Sequence, residues 1–194
     1  MWAIRLNNMQ NTFLPSGYEK PETPSNYLNK FREGNNKFRI LSSAIVGYEY
    51  FNTDNKPVRS KEPFKETPGI KVDKNGKSRI NHFWAFVVWD YAAEQIKIME
   101  ITQSGIQDAI IELSMDDNWG DPKSYDLNIK RTGKEFNNTK YNVVPTPPSP
   151  VDIEIARAYN ETNIDLEKLF TGEDPFGTNE VEPTVEDENF IPPF

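Results

Sequence analysis

The sequence predicts a mainly β fold with a single central helix, an irregular N-terminal arm and an acidic C-terminal tail. Five segments show the alternation of apolar and polar residues, or the dense aromatic and β-branched composition, that is typical of strands. Another segment, between the third and the fourth of these, has the spacing of an amphipathic helix. At 194 residues, the chain is long enough for one domain with appendages.

The first predicted strand follows a long irregular arm. Residues 1–36 contain three prolines and no regular pattern, and we interpret them as the arm. The strand is predicted over residues 37–51, where basic and apolar side chains alternate at the start and Gly47 allows a bend. Residues 52–80 form the next connection, which carries eight basic and four acidic side chains. Loops of this length are usually functional or disordered.

The other elements follow at shorter intervals. The helix is predicted over residues 104–115, because aliphatic residues recur on one face from Ile106 onward. Ser104 and Gln107 have the spacing of a capping box at its start. The second to fifth strands are predicted over residues 82–91, 96–101, 124–132 and 140–144.

The order strand, strand, strand, helix, strand, strand is that of the OB-fold, a small five-stranded Greek-key barrel. OB-folds bind oligonucleotides on the face of strands 2 and 3 and on the loops that join strands 1–2 and 4–5. Here those loops are residues 52–80 and 133–139, and both carry basic side chains. The chain is therefore divided into an arm (1–36), an OB-fold domain (37–145), a proline-rich linker with a short helical segment (146–171) and an acidic tail (172–194).

The formal charge of −8 is distributed unevenly. Residues 1–150 carry 20 basic and 18 acidic side chains, whereas residues 151–194 carry 2 and 12. From residue 172 onward there is no basic side chain and few aliphatic ones, so we expect this tail to be disordered. An apolar tip at residues 191–194 interrupts the acidic composition, which a purely solubilising tail does not need.

Composition narrows the range of functions. The absence of cysteine excludes disulfides, thiolate metal ligands and cysteine nucleophiles, and a single histidine, His82, offers little for a histidine-based metal site. No apolar run reaches the ~18 residues of a membrane span, and the N-terminus lacks the apolar segment of a secretion signal. We expect a soluble protein that is not an enzyme, needs no cofactor or metal, and does not enter a membrane.

The predicted body combines the two kinds of side chain that single-stranded nucleic acid requires. Cations replace counterions along the phosphates, and aromatic rings stack on unpaired bases, worth ~1–3 kcal/mol per base. Periodicity leaves open whether the face of Trp84 and Phe86 or that of Phe83 and Trp89 points outward. The candidate single-stranded-DNA-binding residues are Lys37, Arg39, Tyr48, Tyr50, Phe51, Lys56, Arg59, Trp84, Phe86, Lys130, Arg131, Lys134, Phe136 and Lys140.

Long segments of the chain match a known family in the expected order. They are YLNKFREGNNKFRIL (27–41), KPVR (56–59), HFWAFVVWDY (82–91), IMEITQ (98–103), NWGDPKSYDLNIKRTG (118–133) and TKYNVVPTPPSP (139–150). The chain thereby resembles the single-stranded DNA-binding proteins of tailed bacteriophages, which are OB-fold replication proteins. The resemblance implies that it coats DNA in phage replication, recombination and repair, in the cytoplasm of the infected bacterium.

The ending resembles the acidic tail and apolar tip of bacterial single-strand binders, although an extra proline departs from their pattern. In those proteins the tip recruits other replication and repair proteins, and the resemblance implies the same here. The residues concerned are Asp187, Glu188, Ile191, Pro192, Pro193 and Phe194. A cysteine-containing zinc site, which some phage proteins carry, is not transferred because this chain has no cysteine.

Two other functions remain open on the residues alone. OB-folds also bind proteins, so the chain is alternatively a protein-interaction adaptor whose basic loops hold an acidic partner. An RNA-binding OB protein would share every feature described so far. The oligomeric state is also open, with a monomer favoured.

Overall fold

The computed structural model describes residues 25–133 and 138–177. These residues contain eight strands, β1 (Tyr27–Leu28), β2 (Gly34–Ile40), β3 (Ile45–Phe51), β4 (Pro57–Ser60), β5 (Asn81–Asp90), β6 (Gln95–Ile101), β7 (Asp126–Thr132) and β8 (Lys140–Pro145). The helices are α1 (Ser104–Met115), α2 (Ile153–Glu161) and α3 (Lys168–Thr171), with a 3₁₀ turn at Pro122–Ser124. The helix predicted over residues 104–115 is confirmed. None of the helices in the described part of the chain is long and apolar enough to cross a membrane.

The strands form one mixed sheet in the order β1-β6-β5-β2-β7-β8, and β3 pairs with β5 and β4 beside this path. Among the strands of the described residues, only β1 and β6 are paired in parallel. Strands β7, β2, β5 and β6 have the spatial order of a Greek key, with the β3–β4 hairpin inserted between β2 and β5, because β7 returns after α1 to pair with β2. Within the described residues, β8 does not pair with β6 or β1, so the sheet is not closed. The prediction of a mainly β fold is confirmed, and a closed five-stranded barrel is not.

The strand predicted over residues 37–51 is in fact two strands, β2 and β3. The chain turns at Ser42, whose hydroxyl accepts a hydrogen bond from the Val87 backbone N–H at 2.9 Å. Leu41 donates its own N–H to the Val87 carbonyl at 2.9 Å. This turn lets β2 pair with the end of β5 and β3 with its beginning. The turn therefore lies at Ser42 and not at Gly47, which is inside β3 in continuous register with β5.

Strands also occur in two segments that were predicted to be irregular, the end of the arm (1–36) and the loop of residues 52–80. β2 begins at Gly34 and Phe31 is buried in the core, so the predicted arm of residues 1–36 contributes to the sheet. The predicted loop of residues 52–80 contains β4, which extends a hairpin from β3. An isolated bridge between Asn52 and Ile70 folds the rest of the loop back on this hairpin.

One face of the sheet, which we call the inner face, packs against α1. Ile106 and Ile110 of α1 are buried against alternate residues of the strands. The strand residues of this core are Phe38, Ile40, Phe86, Val88, Met99, Ile101, Leu127 and Ile129. Because successive side chains of a strand point to opposite faces, the residues between them belong to the outer face.

Part of the outer face is covered by residues 162–177, which we call the C-terminal cover. Leu169 of α3 is 4% exposed and packs on Phe83, Ala85 and Ile98 of strands β5 and β6. Before the cover, the proline-rich linker crosses β2 and β7, where the Ser149 backbone N–H donates to the Ser124 carbonyl at 3.0 Å. The linker and the cover leave the outer face of β2, β7 and β8 partly exposed.

Candidate nucleic-acid interface

Three lysines form a diagonal stripe across the exposed outer face, which we call the lysine stripe. Lys37 lies on β2, Lys130 on β7 and Lys140 on β8, and all three are exposed. Each lysine is offset from the next by one strand and two residues, because Asn128 pairs with Lys37 and Asn142 pairs with Lys130. Such diagonal neighbours lie about 7–8 Å apart, so the stripe presents a regular row of positive charge.

Asparagine side chains fill the positions beside the lysines. In the register of the sheet, Lys130 is flanked by Asn35 on β2 and Asn142 on β8, and Lys37 is flanked by Asn128 on β7. The Oδ1 atom of Asn128 is buried and has no hydrogen-bond partner among the described residues. Among the described residues, the cross-strand neighbours of Lys37 and Lys130 are therefore amides rather than carboxylates.

The exception is Asp126, which anchors one end of the stripe. Its Oδ1 accepts from Arg39 Nε at 2.6 Å and from the Tyr91 hydroxyl at 3.1 Å, while Lys37 Nζ lies 2.9 Å from Oδ2. Burial alone would raise the pKa of Asp126, but hydrogen bonds from Arg39 and Lys37 outweigh it and hold the pKa below its usual range. Two cations on one carboxylate leave this corner with net positive charge.

Tyr91 supplies an aromatic ring next to the stripe. The Nζ of Lys37 lies 4.2 Å from the centre of the Tyr91 ring, in cation–π geometry. Burial, together with the charge of Asp126, raises the pKa of Tyr91 to about 12, so the phenol keeps its proton. The ring is half-buried and remains partly accessible beside Lys37.

Three of the residues predicted to bind DNA lie in the interior. Tyr50 and Phe86 are each 2% exposed, with Phe86 in the core beneath α1. Arg39 is also 2% exposed, because it is enclosed between Asp126 and the linker, where Ser149 accepts from its guanidinium at 3.0 Å. These side chains are removed from the surface and are not part of the candidate interface.

Two further predicted aromatic residues lie on the side of the helix. Trp84 is half-buried on the inner face and, with Ile110 and Ile111 of α1, lines a cavity of about 260 Å³. Tyr48 contacts the His82 ring edge-on, with the ring centres 5.4 Å apart. The face of Trp84 and Phe86 thus points inward, which answers the question that periodicity left open.

The β3–β4 hairpin carries another predicted group, apart from the lysine stripe. Phe51 and Lys56 are exposed there. Arg59, in contrast, lies between two carboxylates, with its Nη2 2.6 Å from Glu100 and its Nε 3.4 Å from Glu49. Burial and the neighbouring Glu100 raise the pKa of Glu49 to about 7. Arg59 therefore has structural partners that occupy its guanidinium.

The remaining predicted residues are Arg131, which lies on the opposite face from the lysine stripe, and residues outside the described part of the chain. Arg131 donates from Nη1 to the Phe31 carbonyl at 3.1 Å, and by the alternation of β7 it belongs to the inner face. Lys134 and Phe136 lie outside the described residues. The same holds for the predicted partner-binding residues Asp187, Glu188, Ile191, Pro192, Pro193 and Phe194.

Tyr91 and the three asparagines were not among the predicted binding residues. The signal that points to them is register, since Asn35, Asn128 and Asn142 become neighbours of lysines only when three strands are aligned. The sequence gives the period of each strand but not this alignment. Within the described residues, no cluster of three or more potential metal ligands is present.

The arrangement suits a flexible polyanion better than a compact ligand. A row of separate ammonium groups can meet successive phosphates, and neighbouring amides and one ring can contact sugars or bases. Lys130 and Lys140 form no ion pair with any other residue of the segments 25–133 and 138–177. Comparisons of the chain with protein-family models, with curated proteins and with solved structures found no match.

Proposed function

We propose that this chain is a sequence-tolerant single-stranded DNA-binding protein that holds the phosphate backbone on the lysine stripe. The observation that carries the proposal is the diagonal alignment of Lys37, Lys130 and Lys140 on one exposed sheet face. Lysine contacts to phosphate position a strand without reading its sequence. The proposed binding is therefore general for single strands.

The OB-fold interpretation belongs to this proposal. It is supported by the Greek-key order of the strands and by the position of α1 between β6 and β7. The OB-fold binding face of the second and third predicted strands corresponds to β5 and β6, and the C-terminal cover lies on it. We therefore assign binding to the adjacent, uncovered part of the outer face.

The biological role follows from the sequence resemblance and is likewise a proposal. The protein would coat single strands during phage replication, recombination and repair in the infected bacterium. By binding only the unpaired form, it would shift duplex melting toward the open state through mass action. The apolar tip at residues 191–194 would recruit other replication proteins.

A fluorescence titration with poly-dT at two salt concentrations tests the proposal, because Tyr91 and the tryptophans provide intrinsic signals. We expect saturable quenching that weakens steeply with salt, and much weaker binding of duplex DNA. The double variant Lys130→Ala/Lys140→Ala should lower the slope of log affinity against log salt by about 1.4, at about 0.7 per phosphate contact on single strands.

Arg157→Ala is the matched control. Arg157 is an exposed cation on α2 whose Nη1 pairs with Glu154 at 3.1 Å, and its loss should leave the slope unchanged. Absence of binding to poly-dT would contradict the proposal and favour a protein-interaction adaptor. Tighter binding to poly-U than to poly-dT would instead assign the stripe to RNA.

A further inference from the structure

A cleft of about 540 Å³ opens at the end of the sheet next to the lysine stripe. Its walls are the chain segment around Lys30 and Arg32, the start of β2, and the β5–β6 turn. Lys37 and Asn35 line the cleft and also belong to the stripe and its flanking residues. The cleft and the stripe are therefore continuous.

The cleft carries an excess of positive charge. Four cations line it, and Asp90 is the one acidic residue among its lining residues. Asp90 is already paired, since Lys97 Nζ lies 2.8 Å from its Oδ2. Lys30 and Arg32 are exposed and form no ion pair within the described parts of the chain.

The wall that carries these two cations is held in place. The Asn36 side chain accepts from the Arg32 N–H at 2.8 Å and donates to the Arg32 carbonyl at 2.9 Å and to the Ile129 carbonyl at 3.0 Å. Phe31 is 4% exposed and packs edge-on against Tyr141, with the ring centres 5.7 Å apart. The backbone between Lys30 and Arg32 is thus fixed to β7 and β8.

From these observations we infer that the cleft is a second phosphate-binding subsite, which receives the backbone of the same strand where it leaves the lysine stripe at Lys37. This inference rests on the proposed function and extends it. Lys30 and Arg32 bind internal phosphodiester groups of the strand, and Asn35 lies between the two subsites. A strand that fills both subsites is longer than one that covers the stripe alone.

The test compares two oligonucleotides on the full chain, dT of about 4 and of about 12 nucleotides, within the range of site sizes known for OB-folds. The variant is Lys30→Ala/Arg32→Ala. For the long oligonucleotide, its salt slope should fall by about 1.4 relative to wild type, at about 0.7 per lost phosphate contact. For the short one, whose few phosphates are satisfied by the stripe, the slope should not change.

Lys130→Ala/Lys140→Ala is the second variant, and it should lose affinity for both lengths. If Lys30→Ala/Arg32→Ala matches wild type on the long strand while Lys130→Ala/Lys140→Ala is weakened, the cleft is not a subsite and the proposed function stands. If wild type binds neither length, both proposals are wrong. Arg157→Ala again controls for the general loss of positive charge.

Discussion

The outer face of the sheet has two halves, of which one is covered by the C-terminal part of the chain and the other is partly exposed. Over β5 and β6, apolar residues such as Phe83 and Ile98 are sealed by Leu169 of the C-terminal cover. Over β2, β7 and β8, the three lysines, Asn35 and Asn142 remain exposed, and Asn128 is half-buried. A sheet face that is apolar must be covered to be stable, whereas a polar face gains nothing from cover and remains available to a ligand.

Arg39 marks the boundary between the halves. It occupies the outer face of β2 like Lys37, two residues away, but the linker encloses it and leaves Lys37 exposed. The difference shows that position on a face does not decide function. What decides it is whether a distant segment folds over the side chain.

Arg39→Ala should have the largest effect on stability. The change leaves Asp126 without its closest cation and frees the linker at Ser149. Removing one partner of a buried ion pair costs about 3–5 kcal/mol, so we expect a loss of that size in the free energy of unfolding, measured with urea. Lys37→Ala, at the same carboxylate, should cost less than about 1 kcal/mol because its amine is partly exposed.

The opposite result would contradict the structural role of Arg39. If Arg39→Ala kept wild-type stability but bound poly-dT with a lower salt slope, Arg39 would be a phosphate contact and not a structural residue.

Leu169→Ala tests whether the covered half is part of the folded unit. Leu169 is 4% exposed among apolar side chains, and truncating such a leucine usually costs 2–5 kcal/mol. We expect about 3 kcal/mol, with a single unfolding transition. Ile153→Ala is the control, because Ile153 of α2 is 72% exposed and should cost less than about 0.5 kcal/mol. Unchanged stability for Leu169→Ala would mean that the cover does not contribute to the core.

Strands β5 to β8 and helix α1 were predictable because their patterns are local. The helix bounds follow from the spacing of its aliphatic residues, but its predicted capping box is wrong. Gln103 occupies the cap position, Ser104 is already helical, and Gln107 donates to the Ile101 carbonyl at 3.0 Å. The Gln107 side chain thus bonds to the last backbone carbonyl of β6, a contact that local spacing in the sequence does not show.

The interface was predictable only in part, for a related reason. Alternation places Lys37 and Arg39 on one face and predicts the same role for both. Their environments diverge because Ser149, 110 residues beyond Arg39, lies over one of them. Likewise, the stripe depends on the alignment of three strands, which is set by pairing and not by the period of any one strand.

Gly47→Ala should have a smaller effect at the edge of the covered half. A Cβ at this position would lie 2.5 Å from the Ser60 carbonyl oxygen and 2.8 Å from Cε1 of Phe170. Because the Phe170 ring can shift but the backbone oxygen cannot shift freely, we expect a loss of about 1–3 kcal/mol in urea unfolding. Gly105→Ala on α1 meets nothing within 4 Å and should instead stabilise by about 0.5–1 kcal/mol. A neutral Gly47→Ala would show that β4 and the cover pack more loosely against β3 than these distances indicate.

A dependence of stability on pH is also expected, from the carboxylate pair of Glu49 and Glu100 in the covered half. Burial, reinforced by Glu100, raises the pKa of Glu49 from 4.5 to about 7, so the folded state holds a proton that the unfolded state releases. The stability that this proton provides is complete below about pH 4.5 and is lost as the pH rises towards 7. Glu49→Gln removes the titration, so wild type should lose stability relative to this variant between about pH 5 and about pH 8.

Urea unfolding of both proteins across that range measures the difference, and Glu154→Gln is the control because Glu154 is an exposed carboxylate on α2. Parallel pH profiles for wild type and Glu49→Gln would mean that Glu49 is ionised in the folded state and that Arg59 neutralises both carboxylates.

The contrast between Glu49 and Asp126 makes the result informative. Both carboxyl groups are buried on the outer face, but Asp126 has two cations and a lowered pKa, whereas Glu49 shares one cation with Glu100. A pH dependence that Glu49→Gln removes would show that the buried carboxyl group of the covered half is protonated, whereas Asp126 in the exposed half stays ionised.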